Sequence, residues 1–390
     1  MYRLRMVAIL MGILTLLWGC SGDSINDSKL SGSKDLTSAS WPVFRGDPTL
    51  SGIAVDPIPD KLELKWSFKT GSWIVSTPVI GLGQVFIGST DGLVYSIDLA
   101  TGTKTWEFDT EDDIEASPLI LETTVYIGNL SGELFALDAH SGEVRWKANC
   151  GNSIYGSANW VKDSDGEGYK IIVGSYDARL YCFDSANGEL EWTYETDNYI
   201  NGAPSTDGDV VVLGGCDELL HIISVEDGTK LGDVWAGSYI PGSAALVDKR
   251  AYVGHYDNQL VCIDVVKKEI VWIYEDKERG GPFFSSPAIG EERIVIGSRD
   301  TFLHCIDRQT GKGIWTFRTR DEIDSSPVLS GDKVVIGSVD GRLYIVNLED
   351  GRELWSYEIG AALIGSPAVA GGFIVIGSDD GTVYAFGEDL

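Results

Sequence analysis

The thiols and imidazoles are the side chains of this chain best suited to hold a metal ion or to attack a substrate. No two cysteines are adjacent, and none has Cys-x-x-Cys or Cys-x-x-His spacing; they are Cys20, Cys150, Cys182, Cys216, Cys262 and Cys305. Zinc sites are built from such close pairs. The histidines are His140, His221, His255 and His304. We expect them in different copies of a repeated structural unit and at different positions within it. The sequence therefore predicts neither a metal cluster nor a catalytic triad.

Carboxylates offer the second possible chemistry. One turn position carries an acid repeatedly, as Asp91, Asp177, Asp217, Asp257, Asp300, Asp340 and Asp380. Aspartate there accepts hydrogen bonds from the backbone that follows it, so we interpret the recurrence as turn formation. A separate insertion, Asp163-Ser164-Asp165-Gly166-Glu167-Gly168, alternates oxygen ligands before glycine and makes Asp163, Asp165 and Glu167 a weak calcium candidate. A solvated hairpin is the alternative, because Lys170 follows where a further acid would be needed.

The elements that carry these residues belong to one repeated unit. Its clearest copy contains Ser325-Ser326-Pro327, Val334-Val335-Ile336-Gly337-Ser338, Leu343-Tyr344-Ile345-Val346 and Gly351-Arg352-Glu353-Leu354-Trp355. Short apolar runs separated by Asp-Gly and x-Gly turns are typical of antiparallel strands joined by hairpins. Four such strands form one blade of a β-propeller.

Two registers of the repeat count the blades. Tryptophan recurs at intervals of about 40 residues, a spacing typical of propeller blades, at Trp66, Trp106, Trp146, Trp192, Trp272, Trp315 and Trp355, with Gly232 in the remaining unit. Eight Ser-Pro-like junctions each carry an apolar and a small residue, from Ile74 and Ser76 onward. The last unit lacks a fourth strand, which Leu62 to Phe68 can supply. We therefore predict an all-β, eight-bladed β-propeller of four-stranded antiparallel blades, with the ring closed by the N-terminal strand.

One register of the repeat varies where its neighbours do not. Between the apolar and small positions lie Val75, Glu115, Tyr155, Asn201, Pro241, Phe284, Asp324 and Ile364. Strand alternation turns these side chains away from the packed side, so we expect them to ring one mouth of the central channel. Loops at one end of a scaffold often carry function. The candidate partner rim is therefore Glu115, Tyr155, Asn201, Phe284 and Asp324, with a solvated rim as the alternative.

The N-terminus has the pattern of a bacterial export signal. Two arginines precede an apolar run from Met6 to Trp18, too short for a membrane span, which needs about 20 residues. The run ends in Leu17-Trp18-Gly19-Cys20, which resembles a lipoprotein signal with Cys20 as the lipidated residue. We expect a signal peptide over 1–19, a lipidated cysteine and flexible tether over 20–40, and a propeller over 41–390. An uncleaved anchor or an ordinary signal peptide is the alternative.

The repeat resembles the pyrroloquinoline-quinone (PQQ) repeat through Gly-x-x-x-Trp, Ser-Pro, Val-x-Ile-Gly-Ser-x-Asp-Gly and the entry segment Trp41-Pro42-Val43-Phe44-Arg45-Gly46. In that family the tryptophan docks between neighbouring blades, a role the resemblance gives to the seven tryptophans above. Together with the lipoprotein signal, the similarity is to the BamB type of propeller lipoprotein. This resemblance implies a non-enzymatic scaffold without a cofactor, at the periplasmic face of the outer membrane, that supports β-barrel protein assembly through protein contacts. We expect the propeller to be monomeric.

The chain departs from the BamB pattern at one place. The Arg-Gly-Glu-Ser stretch that proteobacterial BamB proteins use in docking reads Asn201-Gly202-Ala203-Pro204 here. Two other functions stay open: a ligand-binding or sensing propeller with an aromatic pocket near Tyr155 and Phe284, and a quinoprotein dehydrogenase, whose adjacent cysteine pair is missing. The net charge of −29 repels phosphates and disfavours nucleic acid as a partner.

Overall fold

The computed structural model describes residues 36–163 and 166–388. The regular secondary structure there consists of strands, numbered β1 to β32 in chain order. No helix within these ranges is long and apolar enough to cross a membrane. The predicted signal peptide, Cys20, most of the expected tether and Asp165 lie outside the described residues.

The strands form eight four-stranded antiparallel sheets, which we number as blades along the chain. Blade 1 contains β2 (Val79–Gly81), β3 (Gln84–Gly88), β4 (Leu93–Asp98) and β5 (Lys104–Asp109). Blade 2 contains β6 (Leu119–Leu121), β7 (Thr124–Gly128), β8 (Glu133–Asp138) and β9 (Val144–Asn149). Blade 3 contains β10 (Asn159–Lys162), β11 (Tyr169–Ser175), β12 (Arg179–Asp184) and β13 (Leu190–Glu195). Blade 4 contains β14 (Ser205–Thr206), β15 (Val210–Gly214), β16 (Leu219–Ser224) and β17 (Lys230–Trp235).

The second half of the ring repeats this arrangement. Blade 5 contains β18 (Ala245–Val247), β19 (Arg250–His255), β20 (Gln259–Asp264) and β21 (Glu269–Glu275). Blade 6 contains β22 (Ala288–Ile289), β23 (Arg293–Gly297), β24 (Phe302–Asp307) and β25 (Gly313–Arg318). Blade 7 contains β26 (Val328–Ser330), β27 (Lys333–Gly337), β28 (Arg342–Asn347) and β29 (Glu353–Glu358). Blade 8 contains β30 (Ala368–Ala370), β31 (Phe373–Gly377), β32 (Thr382–Gly387) and β1 (Glu63–Lys69).

Burial within a blade follows its sequence pattern. Middle strands such as β27 and β28 are apolar along most of their length because neighbouring blades cover both faces. The outer strand β13 instead buries Trp192 between exposed residues. A β-bulge directly precedes the tryptophan position in all eight outer strands. Gly232 pairs with Ile222 in the same register, so the fourth unit is a true blade that has lost its tryptophan.

The ring closes through the N-terminal strand. β1 pairs antiparallel with β32, from Glu63 opposite Gly387 to Lys69 opposite Thr382. The first strand of the chain therefore becomes the outer strand of the last blade. Both the eight-bladed fold and this mode of closure, predicted from the repeat, are confirmed. Closure leaves no unpaired sheet edge between the first and last blades.

A segment that we call the strap, residues 41–56, crosses the inner strands at the end of the channel opposite the variable register. Its backbone or side chains hydrogen-bond with every blade, through Ile80, Ile120, Asn159, Thr206, Leu246, Ile289, Leu329 and Gly371. Leu36 and Ala39, within the segment expected to be a tether, pack beside the strap in the same apolar cluster as Trp41. The packed part of the chain thus starts before Trp41.

Candidate functional site at the channel mouth

The variable register converges on one cavity. All eight of its side chains line a single central well of about 190 Å³: Val75, Glu115, Tyr155, Asn201, Pro241, Phe284, Asp324 and Ile364. Phe44 of the strap also lines this well, and since the strap lies at the opposite end, Phe44 forms its floor. The five rim candidates predicted from the sequence are therefore brought together, each from a different blade.

A belt of hydroxyl groups fixes the wall of the well. At the position after the small residue, all blades except blade 4 carry serine or threonine. The backbone N–H of Ser243 donates to Ser286 Oγ at 3.0 Å, and the N–H of Ser286 donates to Ser326 Oγ at 2.9 Å. Equivalent bonds from one blade to the next involve Thr77, Ala203, Ser326 and Ser366 as donors. Sequence reasoning missed this role, although the hydroxyl in seven of eight junctions was its signal.

Three tyrosines form a stack on one side of the mouth. The rings of Tyr155 and Tyr176 have centroids 4.3 Å apart, and those of Tyr176 and Tyr199 lie 4.9 Å apart and nearly parallel. Burial, followed by nearby Tyr155, Cys216, Glu115 and Tyr199, raises the pKa of Tyr176 to about 12. The tyrosines come from the consecutive blades 3 and 4 and Glu115 from blade 2, so packing of successive blades brings them together.

The opposite side of the mouth pairs an aromatic ring with an ion pair. The Arg299 guanidinium lies 3.5 Å from the ring centroid of Phe284. Its Nε and Nη2 each donate to an oxygen of Asp324, both at 2.7 Å. Stacking on a ring and bidentate binding of a carboxylate are both favourable uses of arginine. Phe284 and Asp324 therefore already hold a cation, which the chain supplies itself.

Glu115 and Asn201 present acceptors that no described residue satisfies. Within the described ranges, Glu115 makes no ion pair, and burial together with the charge of Asp113 raises the pKa of its carboxyl. Asn201 donates through Nδ2 to Cys216 Sγ at 3.0 Å, whereas its buried Oδ1 has no partner among the described residues. The well is thus rich in unused acceptors on the side where the tyrosines stack.

Comparison with known proteins assigns the chain to a family. A family model described as outer membrane protein assembly factor BamB matches residues 60–228 and 164–389. The chain belongs to this family. No curated protein sequence matches it.

Solved structures resemble this BamB-family chain in fold. BamB from Moraxella catarrhalis is 21% identical with a TM-score of 0.68, over 84% of this chain and 98% of that one. Quinohemoprotein alcohol dehydrogenase from Comamonas testosteroni is 14% identical with a TM-score of 0.75, over 91% and 82%. A europium-containing methanol dehydrogenase is 14% identical with a TM-score of 0.76, over 90% and 99%. The likeness at these identities concerns the fold, which scaffolds and dehydrogenases share.

The mouth does not fit the quinone cofactor of such dehydrogenases. Pyrroloquinoline quinone is a polycarboxylate, whereas the well presents Glu115 and Asp324, and Arg299 is already bonded to Asp324. The cavity of about 190 Å³ is also below the range of about 300–1,000 Å³ usual for such ligands. Among the side chains of residues 36–163 and 166–388, no group of three or more His, Cys, Asp or Glu could hold a metal ion.

The tryptophan register of this BamB-family chain lies at the interfaces between blades. Six indole N–H groups donate to a backbone carbonyl in the following blade, at distances from 2.8 to 3.2 Å: Trp66, Trp106, Trp146, Trp192, Trp272 and Trp315. Trp355 instead packs its ring against Phe386, with centroids 5.6 Å apart. The accepting turns carry a glycine whose added Cβ would strike the indole, as at Gly102 against Trp66.

The histidines require a correction. His221 and His304, expected in different registers, occupy the same one in blades 4 and 6. His221 Nε2 lies 2.8 Å from Asp217 Oδ2, and His221 Nδ1 lies 2.9 Å from the hydroxyl of Tyr194 in the preceding blade. His304 repeats this arrangement with Asp300 and Tyr274. The prediction of different registers was wrong although the sequence carries the signal, because each of the two histidines follows a repeated turn aspartate by four residues. The tyrosine partner belongs to another blade, so only the structure shows it.

The turn aspartates and the calcium candidate are the remaining residues singled out by the sequence. Asp91 accepts from the Leu93 N–H at 3.0 Å and from the Tyr95 hydroxyl at 2.7 Å, which confirms the turn interpretation there. In the insertion, Lys170 Nζ lies 3.8 Å from Asp163 Oδ1 and 2.5 Å from Glu191 Oε2. The Lys170 ammonium thus already lies beside Asp163, one of the three residues of the calcium candidate. Glu167 is among the described residues, and Asp165 is not.

Proposed function

We propose that this chain is a non-enzymatic scaffold of the bacterial cell envelope that supports the assembly of outer-membrane β-barrel proteins through protein contacts. Membership of the BamB family supports this role. Lipidation of Cys20 would hold the propeller at the periplasmic face of the outer membrane, as the signal-like sequence before it suggests.

The observation that carries the proposal is the exposed aromatic surface around the channel mouth. Trp73, Tyr199, Tyr239 and Tyr256 are 65%, 50%, 49% and 49% exposed. They lie in the loops next to the variable rim on blades 1, 4 and 5. Aromatic residues are enriched in protein interfaces and supply much of the binding energy there. They are presented by a scaffold whose blades are fixed to one another by the hydroxyl belt and the indole contacts.

The test is co-purification from membranes solubilised in mild detergent. We expect a subunit of the β-barrel assembly machinery to co-purify with the lipidated chain and to be lost when Tyr199 and Tyr239 are both replaced by alanine. The control is Leu190→Ala, which removes a side chain of similar exposure, 54%, from an outer strand. Absence of any such subunit from the unmodified chain would contradict the proposed role.

The tyrosine stack favours a second candidate, a propeller that binds a small molecule or a polysaccharide. Stacked rings at a concave mouth offer flat apolar faces to a sugar or to another ring. Thermal-shift assays with cell-wall saccharides test this function. A shift that disappears in Tyr176→Leu would support saccharide binding, and the absence of any shift would rule out the saccharides tested.

A further inference from the structure

The eight-fold repeat allows two sides of the mouth to be compared directly. On one side, neighbouring blades 6 and 7 contribute Phe284 and Asp324, and the guanidinium of Arg299 fills the space between them. On the other side, four blades away, blades 3 and 2 contribute Tyr155 and Glu115 at the same register. Both sides therefore combine an aromatic ring with a carboxylate from an adjacent blade.

The two sides differ in whether the chain provides a cation. Arg299 follows β23 of blade 6 and bonds with Asp324 of the following blade. The equivalent residue is the uncharged Thr90 in blade 1, which precedes the blade of Glu115, and Tyr176 in blade 3. Tyr176 stacks on Tyr155 and extends the aromatic surface, but it brings no positive charge. Glu115 is left without an ion pair among the described residues, and Asn201, two blades away on the wall of the same well, has a buried Oδ1 without a partner there.

The surroundings of this vacant position favour a positively charged group. The carboxylate of Glu115 and the amide oxygen of Asn201 can only accept hydrogen bonds, and tyrosine faces attract cations. The well of about 190 Å³, floored by Phe44, has room for one side chain and is below the usual size of a drug-sized ligand site. The net charge of −29 adds long-range attraction for a basic partner.

We propose that the mouth well binds a lysine or arginine side chain of a protein partner, with its charged group between Glu115 and Tyr155. The inserted side chain would repeat on this side what Arg299 does on the other. The proposal rests on the proposed scaffold function and specifies the chemistry of the contact: a partner that presents an exposed basic residue on a narrow projection.

The test uses short capped peptides and the full chain with Cys20→Ser. Among the cysteines of the described residues, Cys216 is partly exposed and the other four are buried, so Cys216 is the thiol that an alkylating reagent reaches. A glycine-flanked lysine peptide, an arginine peptide and a matched glutamine peptide are titrated by calorimetry. In parallel, the alkylation rate of Cys216 reports occupancy, because its sulfur contacts Asn201 in the well. We expect the basic peptides to bind and to slow alkylation, and the glutamine peptide to do neither.

Two substitutions that each remove one negative charge locate the site. Glu115→Gln should weaken binding of the basic peptides about tenfold, the factor expected when one charge-assisted hydrogen bond is lost. Glu122→Gln, in the hairpin at the far end of the same blade, removes the same charge and should leave the affinity unchanged. Tyr176→Leu should weaken binding less than Glu115→Gln does, since one ring face is removed and the carboxylate stays.

The possible results separate this proposal from the scaffold function. The proposed site for a basic side chain would be overturned by any of three results. These are equal binding of the lysine and glutamine peptides, no binding of the basic peptides, and equal effects of the two glutamate substitutions. If a β-barrel assembly subunit co-purifies equally well with Glu115→Gln, the well is not its contact, and the proposal fails while the scaffold function stands. If the peptides bind at Glu115 but no such subunit co-purifies, the site stands and the scaffold function fails.

Discussion

Replacement of Gly228 by alanine should disrupt the interface between blades 3 and 4. Gly228 has a φ of +71°, and a Cβ there would lie 2.5 Å from Cε3 and 2.7 Å from Cδ2 of Trp192. The Trp192 indole also donates to Val225 O at 3.2 Å, a bond that the ring must give up if it moves. The clash is with a packed ring system, which cannot rotate out of the way as a flexible side chain could.

The expected loss follows from three contributions. Alanine at positive φ costs about 1 kcal/mol, displacement of a packed ring costs about 2 kcal/mol, and the lost indole hydrogen bond costs about 1 kcal/mol. We therefore expect Gly228→Ala to lower the free energy of unfolding by about 4 kcal/mol. The assay is equilibrium urea unfolding followed by tryptophan fluorescence and by circular dichroism, with agreement of the two signals as the check on cooperativity.

Blade 5 provides the matched control within the same molecule. Its equivalent turn residue is Lys268, which has a φ of +60° and faces Gly232, where the indole is missing. Lys268→Ala should change the free energy of unfolding by less than about 1 kcal/mol, because a Cβ is already present and meets no ring.

A double-mutant cycle separates the clash from the backbone strain. Trp192→Gly combined with Gly228→Ala reproduces the natural pairing of Gly232 with Lys268. The effects of the two substitutions should fall short of additivity by about 2 kcal/mol or more, because the second cannot clash once the ring is gone. Additivity within about 0.5 kcal/mol, or equal effects of Gly228→Ala and Lys268→Ala, would refute the account of the interface.

Three further outcomes follow from buried or paired charges. Burial lowers the pKa of His255 below its ordinary value of 6.5, so the unfolded state binds the proton first and stability should fall as pH drops below about 6.5. His255→Gln should flatten this decline in urea unfolding between pH 7 and 5 relative to the exposed His140→Gln. Parallel curves for the two variants would contradict the lowered pKa of His255. Burial also lowers the pKa of Arg45 to about 9, and its Nε and Nη1 have no partner among the described residues. Arg45→Met should therefore leave thermal stability equal or higher. A loss of stability above about 2 kcal/mol would mean that the hydrogen-bonding groups of the guanidinium are well satisfied. Calorimetric titration with calcium should give no heat, because Lys170 already stands beside Asp163; heat that disappears in Asp165→Ala would show the opposite.

The sequence by itself determined the blade and its number of copies. Strand pairing within a blade and the turns that join its strands are local, so each unit carries its own pattern, as in the stretch from Ser325 to Trp355. The period of the tryptophan register counted the units, and the missing last strand indicated how β1 closes the ring. The variable register could be recognised because all seven other copies of each blade are available for comparison within one chain.

Only the tertiary structure decided what lies between the blades. Tyr194 reaches His221, Arg299 reaches Asp324, and Ser286 bonds with Ser326 because the ring packs each repeat against the next one. The strap adds the floor of the well, at Phe44, by crossing all eight inner strands. Such contacts depend on the angle and offset between whole sheets, which packing of the closed ring fixes and which no local pattern encodes. For that reason the sequence named Glu115 as a rim residue, but only the folded ring shows that its carboxylate lies near an aromatic stack and pairs with no cation among the described residues.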